Sequence, residues 1–317
     1  MKLARVLVLS GGLSHERDVS IRSGRRVAEA LRSRGIEVTE VDSDTSLMPI
    51  LSGLAPDSVI FPTLHGAAGE DGAIRDIFEM LQLPSVGSSA DACRRSFDKP
   101  VAKGIVEAAG IRVPASRVLP HSTFRELGAQ YLLPLIENSI GLPLMVKPAK
   151  GGSALGASVV HHASELPEAM ISAFSYGSDV VIEPFIAGRE IAVSVIEESD
   201  GSLTALPAVE IVADSGFYSY DARYTAGLTE FFVPANIDHA LSERAAEVAK
   251  KVHVALGLRD ISRSDLIIDS NGEVWFLEVN VAPGMTETSL LPQSVVASGR
   301  DVGALYQDLA ERALQRR

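Results

Sequence analysis

A single cysteine, Cys93, is all the thiol chemistry this chain offers. That excludes an intramolecular disulfide and a thiolate metal site, and it points to a reducing, cytoplasmic setting. Long apolar runs are scarce too, and none approaches the roughly 20 residues of a membrane span. The run Val6-Leu7-Val8-Leu9, preceded by Lys2 and Arg5, is too short for the core of a secretory signal, and His15-Glu16-Arg17-Asp18 follows closely. Positive charge is in deficit, with 29 Lys and Arg against 41 Asp and Glu and a net charge of −12. Neutralising a phosphate backbone takes a basic face that this balance supplies only locally. Neither nucleic acid nor a membrane is therefore expected as a partner.

What is present is globular material. Of 317 residues, 46% are hydrophobic and 22% charged, enough for two or three domains with sizeable cores. The first third alternates strand and helix signals. Ala4 to Leu9 reads as a buried strand ending at Ser10-Gly11-Gly12. A helix follows with Ile21, Val27, Ala28 and Leu31 on one face, closed by Gly35, and then come strands at Ile36–Val41 and Ser58–Pro62. This alternation predicts an open parallel sheet, whose ligands sit beyond the carboxyl ends of its strands. Two such ends are Gly11-Gly12 and the loop from His65-Gly66 to Glu70-Asp71-Gly72; each is also compatible with an ordinary tight turn or a structural histidine.

Further along, Leu142 to Val146 is an apolar run ending in Lys147, and Gly151-Gly152-Ser153-Ala154-Leu155-Gly156 precedes renewed strand sequence at Ala157–Val160. The Walker order G-x-x-x-x-G-K-[ST] is absent. Strand, lysine, glycine-rich turn and strand make a hairpin whose backbone N–H groups suit a phosphate; an ordinary hairpin with a surface lysine stands beside that interpretation. Lys99, at the start of a helix predicted to run to about Ala109, is disfavoured by the helix dipole, which an anionic ligand or plain solvation would each explain. Glu183 ends the strand that begins at Asp179, placed to read an adenine amino group together with the backbone after it, or simply to face water. Residues 214–236, rich in Tyr, Gly, Ser and Thr, read as a lid.

Near the C-terminus, Ile261–Ile268 and Val274–Asn280 flank an Asn271-Gly272 turn and form a hairpin. Period-two alternation puts Arg263 and Asp265 on one face, and Glu278 and Asn280 on one face of the partner strand. Two carboxylates and an amide oxygen make a hard-oxygen site suited to magnesium, completed by phosphates. A salt-bridge cluster explains Arg263 and Asp265 but not a second strand ending in Glu-x-Asn.

The segments Gly11–Ser20, His65–Gly72, Asp98-Lys99 and Leu277-Glu278-Val279-Asn280, the last followed by Pro283-Gly284-Met285-Thr286 and Ser289-Leu290, occur in that order. In this set the chain resembles the D-alanine–D-alanine ligases of the ATP-grasp superfamily, nearly end to end. The resemblance implies an α/β (α+β) fold of three domains: an N-terminal parallel-sheet domain at 1–88, a central ATP-grasp subdomain at 89–183, and a C-terminal one at 184–317 carrying the lid 214–236. It implies ATP and D-alanine as substrates, magnesium (with manganese able to replace it) as the metal, a homodimer through the N-terminal domain, and supply of peptidoglycan precursors. By motif, Lys99, Lys147, Glu183, Glu190 and Arg223 fall to the nucleotide, and Asp265, Glu278 and Asn280 to the metal. Glu16 falls to the first D-alanine's ammonium, with Ser153 and Tyr224 as its partners; His65 falls to the substrate, Ser289 and Leu290 to the second D-alanine's carboxylate, and Arg263 and the Gly284 N–H to the oxyanion. Against the family pattern, Gly151 and Ala154 stand where an acidic residue and a serine are usual, and Arg223 where a lysine is common. Two other functions remain open: a paralogous ligase taking another D-amino acid or a hydroxy acid, whose D-lactate version Tyr224 speaks against, and a nucleotide-binding regulator.

Overall fold

The computed structural model describes residues 3–316 apart from 215 and 226, with the backbone but not the side chain of Tyr224. Its first sheet is parallel, in the order β2-β1-β3, from Arg5–Ser10 (β1), Glu37–Asp42 (β2) and Ser58–Pro62 (β3). The helix Arg17–Ser33 covers it and buries Ser20, Ser23, Gly24, Val27, Ala28 and Leu31. Ile21, expected on the buried face, is only half-buried. Small residues lie against the sheet instead, because the helix packs so tightly that a Cβ on Gly24 would sit 2.8 Å from that of Ser10. The last helix, Val302–Gln315, returns to this domain, where Leu305, Tyr306, Leu309 and Ala310 share a core with Leu31 and Phe61.

The second sheet is antiparallel. Arg117–Pro120 (β4), Leu144–Pro148 (β5), Ser158–Val160 (β6) and Asp179–Pro184 (β7) run in the order β4-β7-β5-β6. Leu144 and Val146 of β5, and Val180 and Ile182 of β7, bury against the helices Ala129–Ile140 and Leu166–Phe174. At about 1.5–3 kcal/mol per buried aliphatic side chain, this alternation pins the register and so fixes which residues face the opposite side. β5 and β6 form the expected hairpin, with Met145 opposite Val159.

The third sheet holds Arg189–Glu197 (β8), Leu203–Ala205 (β9), Val209–Ala213 (β10), Thr229–Phe232 (β11), Ile261–Ile268 (β12) and Val274–Asn280 (β13). Its order is β11-β10-β8-β12-β13, with β9 on β8. The helix His239–Ala255 packs on it through Ala245, Ala249 and Val252, its first turn capped by Asp238, which accepts a hydrogen bond from the Leu241 N–H at 2.8 Å. The helices Ala90–Phe97 and Lys99–Ala108 lie in this same core through Ala92, Cys93, Ala102 and Val106. They thereby carry Lys99 and Lys103 to the space between the second and third sheets. Residues 214–236, expected to be a lid, are more than a loop: they include the short helix Tyr220–Tyr224 and β11, which pairs with β10.

Candidate active site

A cleft of about 350 Å³ opens between the two antiparallel sheets, lined by Lys99, Lys147, Glu183, Glu190, Arg223, Asp265 and Glu278 together with apolar Met145, Phe185, Ile186 and Leu277. A second compartment of about 400 Å³ adjoins it, reaching Glu16, His65, Ser153, Arg263, Asn280, Gly284, Ser289 and Leu290. Lys99, Gly151, Gly152, Arg223 and Glu278 line both, so the glycine-rich turn stands at their junction. Every site residue expected from sequence except Tyr224, whose side chain lies outside the described residues, lines one compartment or both.

In the first compartment the charges are interlocked. Glu183 is 2% exposed and accepts from two lysines, Lys147 at 2.7 Å and Lys103. Burial disfavours its ionised form, but Lys147 and Lys103 outweigh that and hold its carboxyl below the ordinary range. Lys99 donates to the Gly151 carbonyl at 2.7 Å and pairs with Glu278 at 3.3 Å. Burial pushes the Glu278 carboxyl up, yet Lys99, Lys147 and Arg223 pull it down to about 2, so it is a carboxylate at any physiological pH. Glu190 is pushed up to about 7, by burial first and by Asp265 and Glu278, against the pull of Arg223 and Arg263.

The β12–β13 register places Asp265 opposite Glu278 and Arg263 opposite Asn280. Among the described residues no three His, Cys, Asp or Glu side chains form a self-sufficient metal site. Two carboxylates and an amide oxygen instead fit a hard cation that draws its remaining oxygens from a phosphate and water. Asn280 is oriented by its own Oδ1, which accepts from the Ala282 N–H at 2.8 Å.

In the second compartment Ser153 Oγ donates to Glu16. One precedes the helix on the first sheet, the other lies in the turn between β5 and β6 of the second, and they are 137 residues apart in sequence. Glu16 is held by the turn before its helix, where its N–H donates to Ser14 Oγ at 3.0 Å. His65 is buried, 3.3 Å from Ser23 Oγ, and burial lowers it to about 4, so the ring is neutral near pH 7. Ser23 also accepts from the Met285 N–H at 3.2 Å, tying the first helix to the segment that carries Gly284 and Ser289. Ser289 sits at the N-terminus of the helix Leu290–Ala297, where a carboxylate is favoured by free N–H groups and the dipole.

Two buried groups were not among the expected site residues. Lys103 lies one helical turn from Lys99, and that i, i+4 spacing was the available signal. Glu70, noted only as part of a polar loop, is 7% exposed and accepts from the Gly66 N–H at 2.9 Å.

Two antiparallel sheets gripping a cleft of lysines and carboxylates, with a parallel-sheet domain supplying an acid at its mouth, make this an ATP-grasp protein. Comparison with known proteins narrows the class. Residues 105–311 match the family model described as D-ala D-ala ligase C-terminus. A D-alanine–D-alanine ligase of Anaeromyxobacter dehalogenans is 40% identical over 310 residues, covering 98% of this chain and 96% of its own. Among solved structures, the VanG D-Ala:D-Ser ligase from Enterococcus faecalis superposes with a TM-score of 0.83 at 26% identity, over 98% of this chain and 100% of its own. The Bacillus anthracis D-alanine–D-alanine ligase complexed with ATP does so at 0.80 and 28% identity, over 99% and 98%. The chain belongs to the D-alanine–D-alanine ligase family.

Proposed function

We infer that this protein joins two D-alanines at the expense of ATP, through an acyl phosphate, to supply D-alanyl-D-alanine for peptidoglycan. The observation that carries the assignment of roles is the Ser153–Glu16 hydrogen bond at the junction of the two compartments. It sets an anion for an amino acid's ammonium beside a turn that suits phosphates. A carboxylate is a poor electrophile, so its oxygen first attacks the γ-phosphorus of ATP and ADP leaves. Lys99, Lys147 and Arg223 line the compartment that receives the nucleotide and spread the charge of that transfer. Asp265, Glu278 and Asn280 would hold magnesium, which would neutralise phosphate charge.

The second D-alanine, its carboxylate at Ser289 and Leu290, then attacks the acyl carbon with its amine. The oxyanion that develops is met by the Arg263 guanidinium and the Gly284 N–H, and its collapse expels phosphate. The lid 214–236 excludes the water that would hydrolyse the acyl phosphate. Among the described residues no helix is long and apolar enough to cross a membrane, and the buried free thiol of Cys93 agrees with work in the cytoplasm. We further assign a homodimer, on family grounds.

Phosphate release from ATP and Mg²⁺ tests the proposal: stimulation by D-alanine is expected, and none would sink it. The likeness to a D-Ala:D-Ser ligase, with Gly151 and Ala154 in the turn, gives a second reading in which the acceptor is another D-amino acid or a hydroxy acid. An acceptor panel decides, since clear preference for D-alanine at neutral pH removes it.

A further inference from the structure

We propose that Lys103 is a positioning residue for the nucleotide: from behind the cleft it neutralises Glu183, so that Lys147 presents an uncancelled positive charge to the phosphates. The proposal rests on the nucleotide occupying the cleft between the second and third sheets.

Three charges form one buried line. Lys147 on β5 is 2.7 Å from Glu183 Oε1, and Lys103, on the helix Lys99–Ala108, bonds Oε2. Lys147 and Glu183 line the cleft, whereas Lys103 is not among its lining residues and is only 3% exposed. Lys103 therefore has no direct path to a ligand, and its influence passes through the shared carboxylate. Without it, Lys147 and Glu183 make a neutral pair whose field at a phosphate several ångströms away largely cancels. With it, the group carries one net positive charge, and Lys147 is the end that faces the cleft.

A purely structural function explains a lysine here poorly. Burying an ammonium costs more than burying a methylene chain of the same volume, and Lys147 alone already satisfies one Glu183 oxygen. The charged groups facing Lys103 are Lys147 from β5, Glu183 from β7 and Glu278 from β13. Burial first and Lys147 second lower its pKa to about 8, against the pull of Glu183 and Glu278. The net charge of the line thus falls from one to zero as pH rises through about 8, while Lys147 itself, raised above its ordinary value against the cost of burial by Glu183 and Glu278, stays protonated.

Steady-state kinetics at saturating D-alanine and Mg²⁺, from pH 6.5 to 9.5, provide the test on the wild type, Lys103→Met and Lys103→Arg. Bound ATP and the transition state meet the same charge, so the loss belongs in KM. At pH 7, Lys103→Met is expected to raise KM for ATP roughly tenfold, with kcat within about threefold of wild type, the scale of one unit charge acting across a protein surface. Above pH 8, where Glu190 has already ionised in all three proteins, wild-type KM for ATP is expected to climb, while that of Lys103→Met is high and flat and that of Lys103→Arg low and flat. Wild-type KM and pH dependence in Lys103→Met, or the same rise in Lys103→Arg as in Lys103→Met, overturns the proposal. Should Lys103→Met not fold, ATP titrations of wild type and Lys103→Arg across the same pH range decide: weakening above pH 8 in wild type alone supports it, and equal weakening in both overturns it. Wild type that binds ATP without D-alanine-stimulated turnover defeats the ligase assignment instead, and the titrations still judge Lys103.

Discussion

Arg263 holds Asp265 in a two-pronged ion pair within a single strand, Nε to Oδ1 at 2.7 Å and the second nitrogen to Oδ2 at 2.9 Å. The residue proposed to meet the oxyanion thus occupies both oxygens of a residue proposed to meet the metal. Both are buried, and Asp265 keeps the Arg263 guanidinium charged against the cost of burial. Asp265→Asn leaves a buried guanidinium half-paired and removes one of two carboxylates available to a cation. The Mg²⁺ concentration for half-maximal turnover is expected to rise at least about tenfold, and the unfolding temperature to fall. An unchanged Mg²⁺ requirement would take Asp265 out of the metal set.

Arg263→Lys keeps the charge and loses the fork. A lysine ammonium supplies a point charge where the guanidinium spans both carboxylate oxygens and still reaches the second compartment. A fall in kcat of about 10²–10³-fold is expected, the range for loss of one oxyanion donor. KM for ATP should hardly move, because Arg263 lines the second compartment and not the one proposed for the nucleotide. A loss expressed mainly in KM for ATP would move Arg263 to the nucleotide.

The β12–β13 hairpin was legible because its chemistry and its periodicity coincide: alternation placed Arg263 with Asp265 and Glu278 with Asn280 before any fold was known. The β5–β6 hairpin was legible for the same reason, with a lysine at the strand end and glycines where the chain turns. Lys103 was not, since a lysine among the three charged side chains of a ten-residue helix looks solvated until the third sheet is laid over it. The helices at 90–97 and 121–127 are only eight and seven residues long, and that at 129–140 has Pro134 inside it. The return of the final helix to the first sheet, which puts Leu309 in one core with Leu31, is something no local pattern announces.

Glu70 makes the stability of the ligand-free protein depend on pH in an uncommon direction. Burial first and Glu16 second push its carboxyl from the ordinary 4.5 to about 8, against the pull of the Gly66 N–H. The folded protein therefore keeps a proton that the unfolded chain releases. The contribution is complete below pH 4.5 and is lost as pH rises through about 8. Glu70→Gln keeps a neutral group of the same shape. Near pH 8.5 its unfolding temperature is expected to exceed that of wild type by a few degrees, with the difference gone at pH 4.5. Equal unfolding temperatures at the higher pH would mean that Glu70 is charged at no cost.

Cys93 reports on opening of the third-sheet core. It is fully buried, its thiol is pushed up by burial against the opposing charge of Arg75, and its Sγ lies 3.7 Å from the Ser88 carbonyl. A maleimide should label it at least about a thousandfold more slowly than a free thiol, at a rate set by unfolding. Fast labelling of the native protein would place a low-energy opening between the helix Ala90–Phe97 and the sheet.

The glycine-rich turn proposed to meet the phosphates is where the resemblance is weakest, and its backbone shows what Gly151 and Ala154 demand. Gly151 sits at φ +140°, a conformation an L side chain rarely adopts, although a Cβ there meets nothing within 4 Å. Its carbonyl is the acceptor for Lys99 Nζ, so a side chain that rotates this peptide also releases Lys99. Gly151→Glu, which supplies the acidic residue the resemblance led us to expect there, is therefore expected to raise KM for ATP several-fold rather than improve it. Ala154 is left-handed at φ +56°, a conformation that costs about 1 kcal/mol in a residue with a Cβ. Ala154→Gly removes that strain but frees the unfolded chain by a similar amount, so its unfolding temperature should match wild type. Ala154→Val has no such compensation, because a β-branched residue tolerates positive φ least. Its unfolding temperature and its turnover should both drop, and a valine variant with normal turnover would mean that the turn works equally well with a different backbone over the phosphates.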